Sequence, residues 1–596
     1  MSFDRKSLRF AFAVLLALAS LLALPLAFLR LSGKPVMLYQ LVQLTTLPVM
    51  TMLSTGISLI FPEKIKAFFL APDKKFLLTS AALYLFMLFV QWGMGMINFD
   101  LLLSGAVWVT LPLAVIALSD EFKKLLPYWM SGAALLLLVS GFTSENFTGL
   151  AGNWNWTFGM ITALLPGIFF TLDLRYRKTF FLAVLLLFFA VIAVVRLEIF
   201  PRSALFAAVG AIVVIALRRR IPEKNFRKLL FSGITVAILL FFAVLFCLNL
   251  PDTRFQIWRG ASDMIMSHPL AGVGSGQFDE VIRRHLTDDF YFTGFPSPRI
   301  DHAHNDLLNI FAECGILGAV FYLAAAGTIL LKRQKTPAGI LAQWMFMVML
   351  FCGIFDQHNL SVAGCFILCC GAGICLAPAN TPPDITGKWK VPGAIFGGCL
   401  ILPALWTAAI NFHTTSAIRR GDLKWFSGDI SGAKAEYNVA VRQKPHIHAL
   451  YQFAKLNLAE QRPADYYFEK MKTVLKKENY LHTRRLKAVN AYFKRDFELA
   501  YEEISKETDL APFSVISAEF RYHLLQDARS TPEAINEAYQ YFMLLCRMRG
   551  IKSYAELHSP EFEAVDDGPL PRDLREYFFR DPEAVRAIFS GLSRKR

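Results

Sequence analysis

Along the first two thirds of the chain, polar residues gather into short clusters separated by long apolar runs, at 9–29, 36–61, 76–96, 99–118, 124–142, 156–172, 179–196, 203–217, 229–250, 306–331, 339–357, 360–378 and 392–411. Most of these runs, coiled as helices rising about 1.5 Å per residue, reach across a hydrocarbon core of roughly 30 Å. The pattern predicts about thirteen membrane-spanning helices. A bilayer admits helices because their backbone groups are satisfied within each segment. Beyond residue 411 the pattern changes, and apolar positions interleave with charged ones at helical spacing, as in a water-exposed helical domain.

Lysine and arginine sharpen this picture. They cluster at Lys64/Lys66/Lys74/Lys75, Lys123/Lys124, Arg175/Arg177/Lys178, Arg218/Arg219/Arg220 with Lys224/Arg227/Lys228, and Lys332/Arg333/Lys335. With thirteen spans all these connectors fall on the side of the N-terminus, which the positive-inside rule makes cytoplasmic. The loops 141–156, 196–203 and 251–305, and everything after Asn411, then face outward. The net charge of +15 is therefore explained by topology, without a nucleic-acid partner. At 55% hydrophobic and 18% charged residues, the composition is that of a polytopic membrane protein. The first run follows Arg5, Lys6 and Arg9 as a signal peptide would, but lacks a small-residue cleavage site and reads as a retained anchor. Apart from Cys546, the cysteines lie in or beside apolar runs, with neither a disulfide framework nor zinc-ligand spacing.

The expected architecture is thus all-α, with a transmembrane bundle over 1–411, a large external loop at 251–305, and a soluble helical domain over 412–596. In that domain Gly421, Gly428, Ala433, Tyr437, Ala440 and Pro445 fall at the offsets of a tetratricopeptide-type hairpin, where small residues let two helices approach. Ala500 and Pro512 repeat the end of that spacing; the stretch between matches poorly, and a generic helical bundle is the other reading. Such a domain binds or positions a protein partner more readily than it catalyses.

Candidate chemistry concentrates on the external side. His302 and His304 sit where the long loop re-enters the membrane, and a histidine there titrates near neutrality and can take a proton from a hydroxyl. Asn305 is suited to cap the helix that follows, and Glu313 lies two turns inside it. Arg202, Arg254 and Arg259 lie near span ends, where a guanidinium can fork onto phosphate oxygens; snorkelling to lipid headgroups is the plainer role for such residues. In Gly152-Asn153-Trp154-Asn155-Trp156 the amides of Asn153 and Asn155 suit hydrogen bonding to sugar hydroxyls, while indoles are ordinary at membrane interfaces. The glycines of Pro269 to Phe278 lack the strand and helix of a nucleotide site and read as a tight turn.

The order of these motifs resembles the O-antigen ligase and O-antigen polymerase superfamily of bacterial membrane glycosyltransferases, which includes protein O-oligosaccharyltransferases. The matching pieces are Gly152-Asn153-Trp154-Asn155, Pro201-Arg202-Ser203-Ala204, Arg254 with Trp258, His268-Pro269-Leu270 through Gly274, and His304-Asn305 with Leu308, Glu313 and Gly315 to Gly318. Trp154 and Pro201 depart from the family's usual proline and serine. The resemblance implies a GT-C-like bundle in a bacterial inner membrane, with the active site and C-terminal domain periplasmic. It implies transfer of an oligo- or polysaccharide from a polyprenyl diphosphate carrier to an acceptor hydroxyl on lipid A core, a glycan or a protein, with inversion and without metal or cofactor. His304, Arg202 and Arg254 would be catalytic; Asn153, Asn155, Arg259, His302, Asn305 and Glu313 would bind substrate. A lipid-linked glycan flippase is the rival from another class, but it would be expected to place ionisable groups near mid-membrane on several helices. A membrane-anchored scaffold leaves the external arginine and histidine set unexplained.

Overall fold

A computed structural model describes residues 5–27, 36–142, 154–171, 202–229, 232–233, 253–286, 300, 302–356, 362–378, 390–475, 482–511, 514–551 and 553–557. The fold among these is helical. Expected spans 179–196 and 229–250 lie largely or wholly outside the described residues. The chain divides into two compact units: 1–244, 268–276 and 302–411 form the first, and 245–267, 277–301 and 412–596 the second.

In the first unit the apolar runs become α1 (Arg5–Ala27), α2 (Val36–Ile60), the short α3 (Glu63–Leu70), α4 (Lys75–Gly93), α5 (Phe99–Ala117), α6 (Ser119–Phe142), α7 (Trp154–Leu164), α8 (Pro166–Thr171) and α9 (Arg202–Arg220). Among the described residues, five helical stretches are long and apolar enough to cross a membrane, at Pro72–Gly93, Phe99–Ala117, Ser119–Gly141, Asp306–Leu331 and Pro392–Trp425; Thr46–Ile60, Pro337–Cys352 and Ala363–Leu376 are shorter apolar helices. Phe86, Leu135, Leu402 and Trp406 keep more than half of their surface exposed, an outer face suited to hydrocarbon and not to water.

The core is built around two helices that the apolar pattern alone does not single out. Helices α12 (Pro337–Cys352) and α13 (Val362–Leu376) pack on each other, and α13 also meets α5 and α1. Helix α13 is made of Ala, Gly and Cys as much as of large residues, because close approach of backbones needs small side chains. A Cβ on Gly371 would lie 2.7 Å from the Ala342 carbonyl oxygen. Cys365, Cys369, Cys370 and Cys375 are buried there as free thiols, packing as small hydrophobes.

One end of this unit collects its cations. The Arg9 guanidinium donates to the Ala117 carbonyl at 2.6 Å, Arg218 Nε to Leu331 at 2.6 Å, and Lys332 Nζ to Cys375 at 2.5 Å. Each cation meets a last-turn carbonyl of a neighbouring helix, where the helix dipole favours positive charge. Lys64 adds an ion pair with Asp120 and a hydrogen bond to Ser119.

The last long helix, α14 (Lys390–Phe426), carries the chain from the first unit into the second. There its final turns pair with α15 (Ile430–Gln443), followed by α16 (Ile447–Ala459), α17 (Asp465–Leu475), α18 (Thr483–Phe493), α19 (Phe497–Leu510), α20 (Val515–Asp527) and α21 (Pro532–Arg549). These form four successive helical hairpins. Each turn holds one residue with positive φ, Gly428, Gln461, Arg495 and Arg529, at separations of 33, 34 and 34 positions. Asp429, Asp496 and Thr531 then cap the following helices through their side chains. Tyr437 is fully buried against Gly421, where a Cβ would lie 2.6 Å from its ring. The segment that matched the repeat poorly in sequence keeps the same backbone plan.

Candidate active site

Helix α11 (Asp306–Leu331) begins at the end of the first unit remote from the cations. Asn305 caps it as its residue type predicts, accepting from the Leu308 amide at 3.0 Å. Its other amide atom does a second job: Nδ2 donates to the Ile354 carbonyl at 2.9 Å. The Asp306 amide donates to Gly353 at 2.7 Å, and the buried Asp306 carboxylate lies so close to Gly353 that a Cβ there would clash. Within the loop, the Ala303 amide donates to Asn309 Oδ1 at 3.1 Å. The loop entering α11 and the loop leaving α12 are thereby zipped together.

This zipper brings Asp356 to the histidines. His304 Nδ1 lies 3.3 Å from Asp356 Oδ1, and His302 Nε2 lies 3.9 Å from the same oxygen. The two rings are 4.2 Å apart between centroids. His302 and Asp356 are buried, whereas the His304 side chain is 27% exposed. His304 has φ +50°, a left-handed conformation uncommon outside glycine, held here by the hydrogen bonds on either side. An ionised Asp356 can only accept, so facing it a neutral His304 ring carries its proton on Nδ1 and keeps its lone pair on Nε2.

Two further helices reach this end. Trp156, in the first turn of α7, is buried with its ring 6.2 Å from His302; it supports the histidine and is not an exposed interface residue. Asn155 beside it is half-buried. Arg202 is the first residue of α9 and is exposed. One turn on, Phe206 meets Phe355 edge-on at 5.0 Å, so Arg202 stands at the same end as the neighbour of Phe355, Asp356.

Farther along α11 the helix is broken at Gly315 (φ +62°), and the glycine-rich turn fills the break. Val273 and Gly274 amides donate to the Ala312 and Glu313 carbonyls at 2.9 and 3.0 Å, and the Ile316 amide donates to Pro269 at 2.9 Å. Buried Gln91 clamps the assembly, donating to the Ala271 and Glu313 carbonyls and accepting from the Ser275 amide. A Cβ on Gly315 would lie 2.1 Å from the Leu270 carbonyl oxygen. Non-helical backbone inside an apolar bundle requires this kind of internal satisfaction. Glu313 enters it through its carbonyl.

Of the residues named from sequence, His302, His304, Asn305, Arg202 and Asn155 stand at this end of the first unit. Arg254 and Arg259 lie on α10 (Thr253–Ser267), in the second unit; Arg259 is exposed and Arg254 half-buried. Asn153 lies outside the described residues. Asp356 was missed by sequence reasoning. Its signal was available: an acidic residue closing the apolar run after the basic connector at 332–335 must return to the side on which His304 stands. Among the described residues, His302, His304 and Asp356 also form a set of three ligand atoms within 4.8 Å of one another.

Residues 181–323 match the family model of the O-antigen ligase. The matched segment contains Arg202, Arg254, Arg259, His302, His304, Asn305 and Glu313. No curated protein and no solved structure matches the chain.

Proposed function

We propose, on the match of residues 181–323 to the O-antigen ligase family model, that the protein is a membrane glycosyltransferase of that superfamily and transfers an oligo- or polysaccharide from a polyprenyl diphosphate carrier to an acceptor hydroxyl. The observation that carries the reading is the His304–Asp356 dyad at the capped end of α11, one ring nitrogen turned to a buried carboxylate and the ring partly exposed. In the reaction, the acceptor oxygen attacks the anomeric carbon while its proton passes to His304 Nε2. The bond from that carbon to the diphosphate oxygen breaks, and the polyprenyl diphosphate leaves with the electron pair. Arg202, at the N-terminus of α9, binds the diphosphate and stabilises its growing charge; for Arg254 and Arg259, on α10, a share in this binding is proposed from the family resemblance alone. Asp356 stabilises the imidazolium as it forms. Asn153, Asn155, Asn305, His302 and Glu313 shape the substrate site, and the transfer needs no metal.

The cations that cap helix ends opposite the dyad support an orientation with that end cytoplasmic. The dyad then faces the periplasm of a bacterial inner membrane, and for the C-terminal unit a periplasmic place is proposed from the family resemblance. The four hairpins with turns 33 to 34 residues apart support a tetratricopeptide-type reading, whose repeats present a surface for a peptide or bulky acceptor. That favours a member acting on a protein or a large lipid over one that only extends a polymer. The test is glycan transfer in cells carrying the wild-type protein or Arg202→Ala at equal membrane level, with lipid and protein fractions probed separately. Loss of transfer with the lipid-linked donor accumulating on the outer leaflet supports the reading, and the fraction labelled by the wild type identifies the acceptor. Accumulation on the inner leaflet in the variant assigns a flippase instead.

A further inference from the structure

We propose that His302, His304 and Asp356 form a binding site for a borderline transition-metal dication such as Zn2+, and that its occupation switches off the His304 base. The second half rests on the proposed catalytic role of His304; the first does not. Two imidazoles and a carboxylate are a ligand set such ions prefer. Ligand atoms at about 2.0–2.1 Å from a tetrahedral zinc lie roughly 3.3–3.4 Å apart. His304 Nδ1 and Asp356 Oδ1 are already at 3.3 Å, and His302 Nε2 stands 3.9 Å from that oxygen, so a small rotation of one ring completes the set. The ligands are held firmly. Asn305 and Asp306 tie the His304 loop to the 353–354 backbone beside Asp356, Asn309 fixes Ala303, and Trp156 lies against His302. His302 and Asp356 are buried while His304 is partly open, so an ion has a path in and keeps a face toward solvent.

Occupation has a definite chemical consequence. A neutral imidazole carries one proton, and the ion takes the Nδ1 lone pair that forms when that proton moves from Nδ1 to Nε2 through solvent. The ring's single proton then sits on Nε2, where the acceptor hydroxyl needs a lone pair. The ion and catalysis therefore require opposite tautomers of one ring, and because the ligating imidazoles must be unprotonated, binding weakens as pH falls.

The test begins with zinc titration of the full-length protein in lipid nanodiscs, with no glycan donor present. Saturable binding of one equivalent is expected, weakened at least tenfold in His302→Ala and in Asp356→Asn. Zinc X-ray absorption on the unmodified protein, which needs no variant to fold, should count two imidazole ligands. Absence of saturable binding, unchanged affinity in both variants, or a spectrum without paired imidazoles overturns the site. Saturating zinc should lower transfer at least tenfold, reversed by a chelator; undiminished transfer by the zinc-loaded protein overturns the switch. Loss of activity in Arg202→Ala or its retention reads the transferase proposal separately, since the metal titration involves no turnover.

Discussion

Histidine–carboxylate pairs occur in both units of this protein. In the first, His304 meets Asp356 at 3.3 Å, with the histidine partly exposed at the mouth of a helix. In the second, His448 meets Asp422 at 3.2 Å, and His482 meets Glu507 at 2.5 Å, with both members of each pair buried. Asp422 Oδ1 also accepts from the Tyr437 hydroxyl at 2.5 Å, so this oxygen is held by side chains of two further helices. The chemistry of the side chains is the same; access differs. A pair buried on both sides locks helices together and cannot reach a substrate, while a pair whose ring is partly exposed can exchange a proton with one.

The sharpest way to break this contrast is to remove each histidine in turn. His304→Ala is expected to lower transfer by about 10²- to 10⁴-fold, the usual contribution of a general base, with little change in thermal unfolding. Transfer within a fewfold of wild type in a well-expressed variant would make His304 as structural as His448. Asp356→Asn comes next, at roughly 10²-fold. The amide can present its NH₂ to Nδ1 and favour the tautomer with the proton on Nε2, the effect known for triads of this kind; if the loss appeared only in substrate affinity with turnover intact, the tautomer argument would be wrong.

In the second unit the expected effects move from rate to stability. Glu507→Ala leaves buried His482 without this acceptor and should cost about 1–3 kcal/mol, read as a lower melting temperature for the C-terminal unit by calorimetry, with transfer at permissive temperature retained. The smallest effect comes from pH. Burial first, then neighbouring His448 and Lys444, press the His446 pKa down to about 3 from 6.5. The folded state holds this ring neutral while the unfolded chain takes up a proton, so stability is full above about pH 6.5 and is lost as pH falls toward 3. Between pH 7 and 5.5 the loss is about 1 kcal/mol. His446→Asn, which keeps an acceptor at the start of α16 where His446 now caps, should flatten that slope in urea titrations; an unchanged slope would assign it elsewhere.

Much of the scaffold was legible because membrane helices leave a coarse signature. The apolar runs, the basic connectors and the Asn305 cap are local features, and so is the rise of His304 at a loop end. The repeat turns were less legible, because three of the four left-handed turn residues are Gln461, Arg495 and Arg529, not the glycine that composition would flag. Gln91 gave no signal at all: a lone amide in an apolar run says nothing until the carbonyls it clamps, 180 and 222 residues away, are known.

By itself the sequence determined which segments are helices, which side of them gathers positive charge, and that a histidine stands at the start of α11, since each follows from neighbours within a few turns. Only the tertiary structure decided that α13 lies at the centre, that Trp156 backs His302, and that Asp356 is the partner of His304. Those depend on which helix faces meet, and faces meet through packing between segments that local periodicity does not connect.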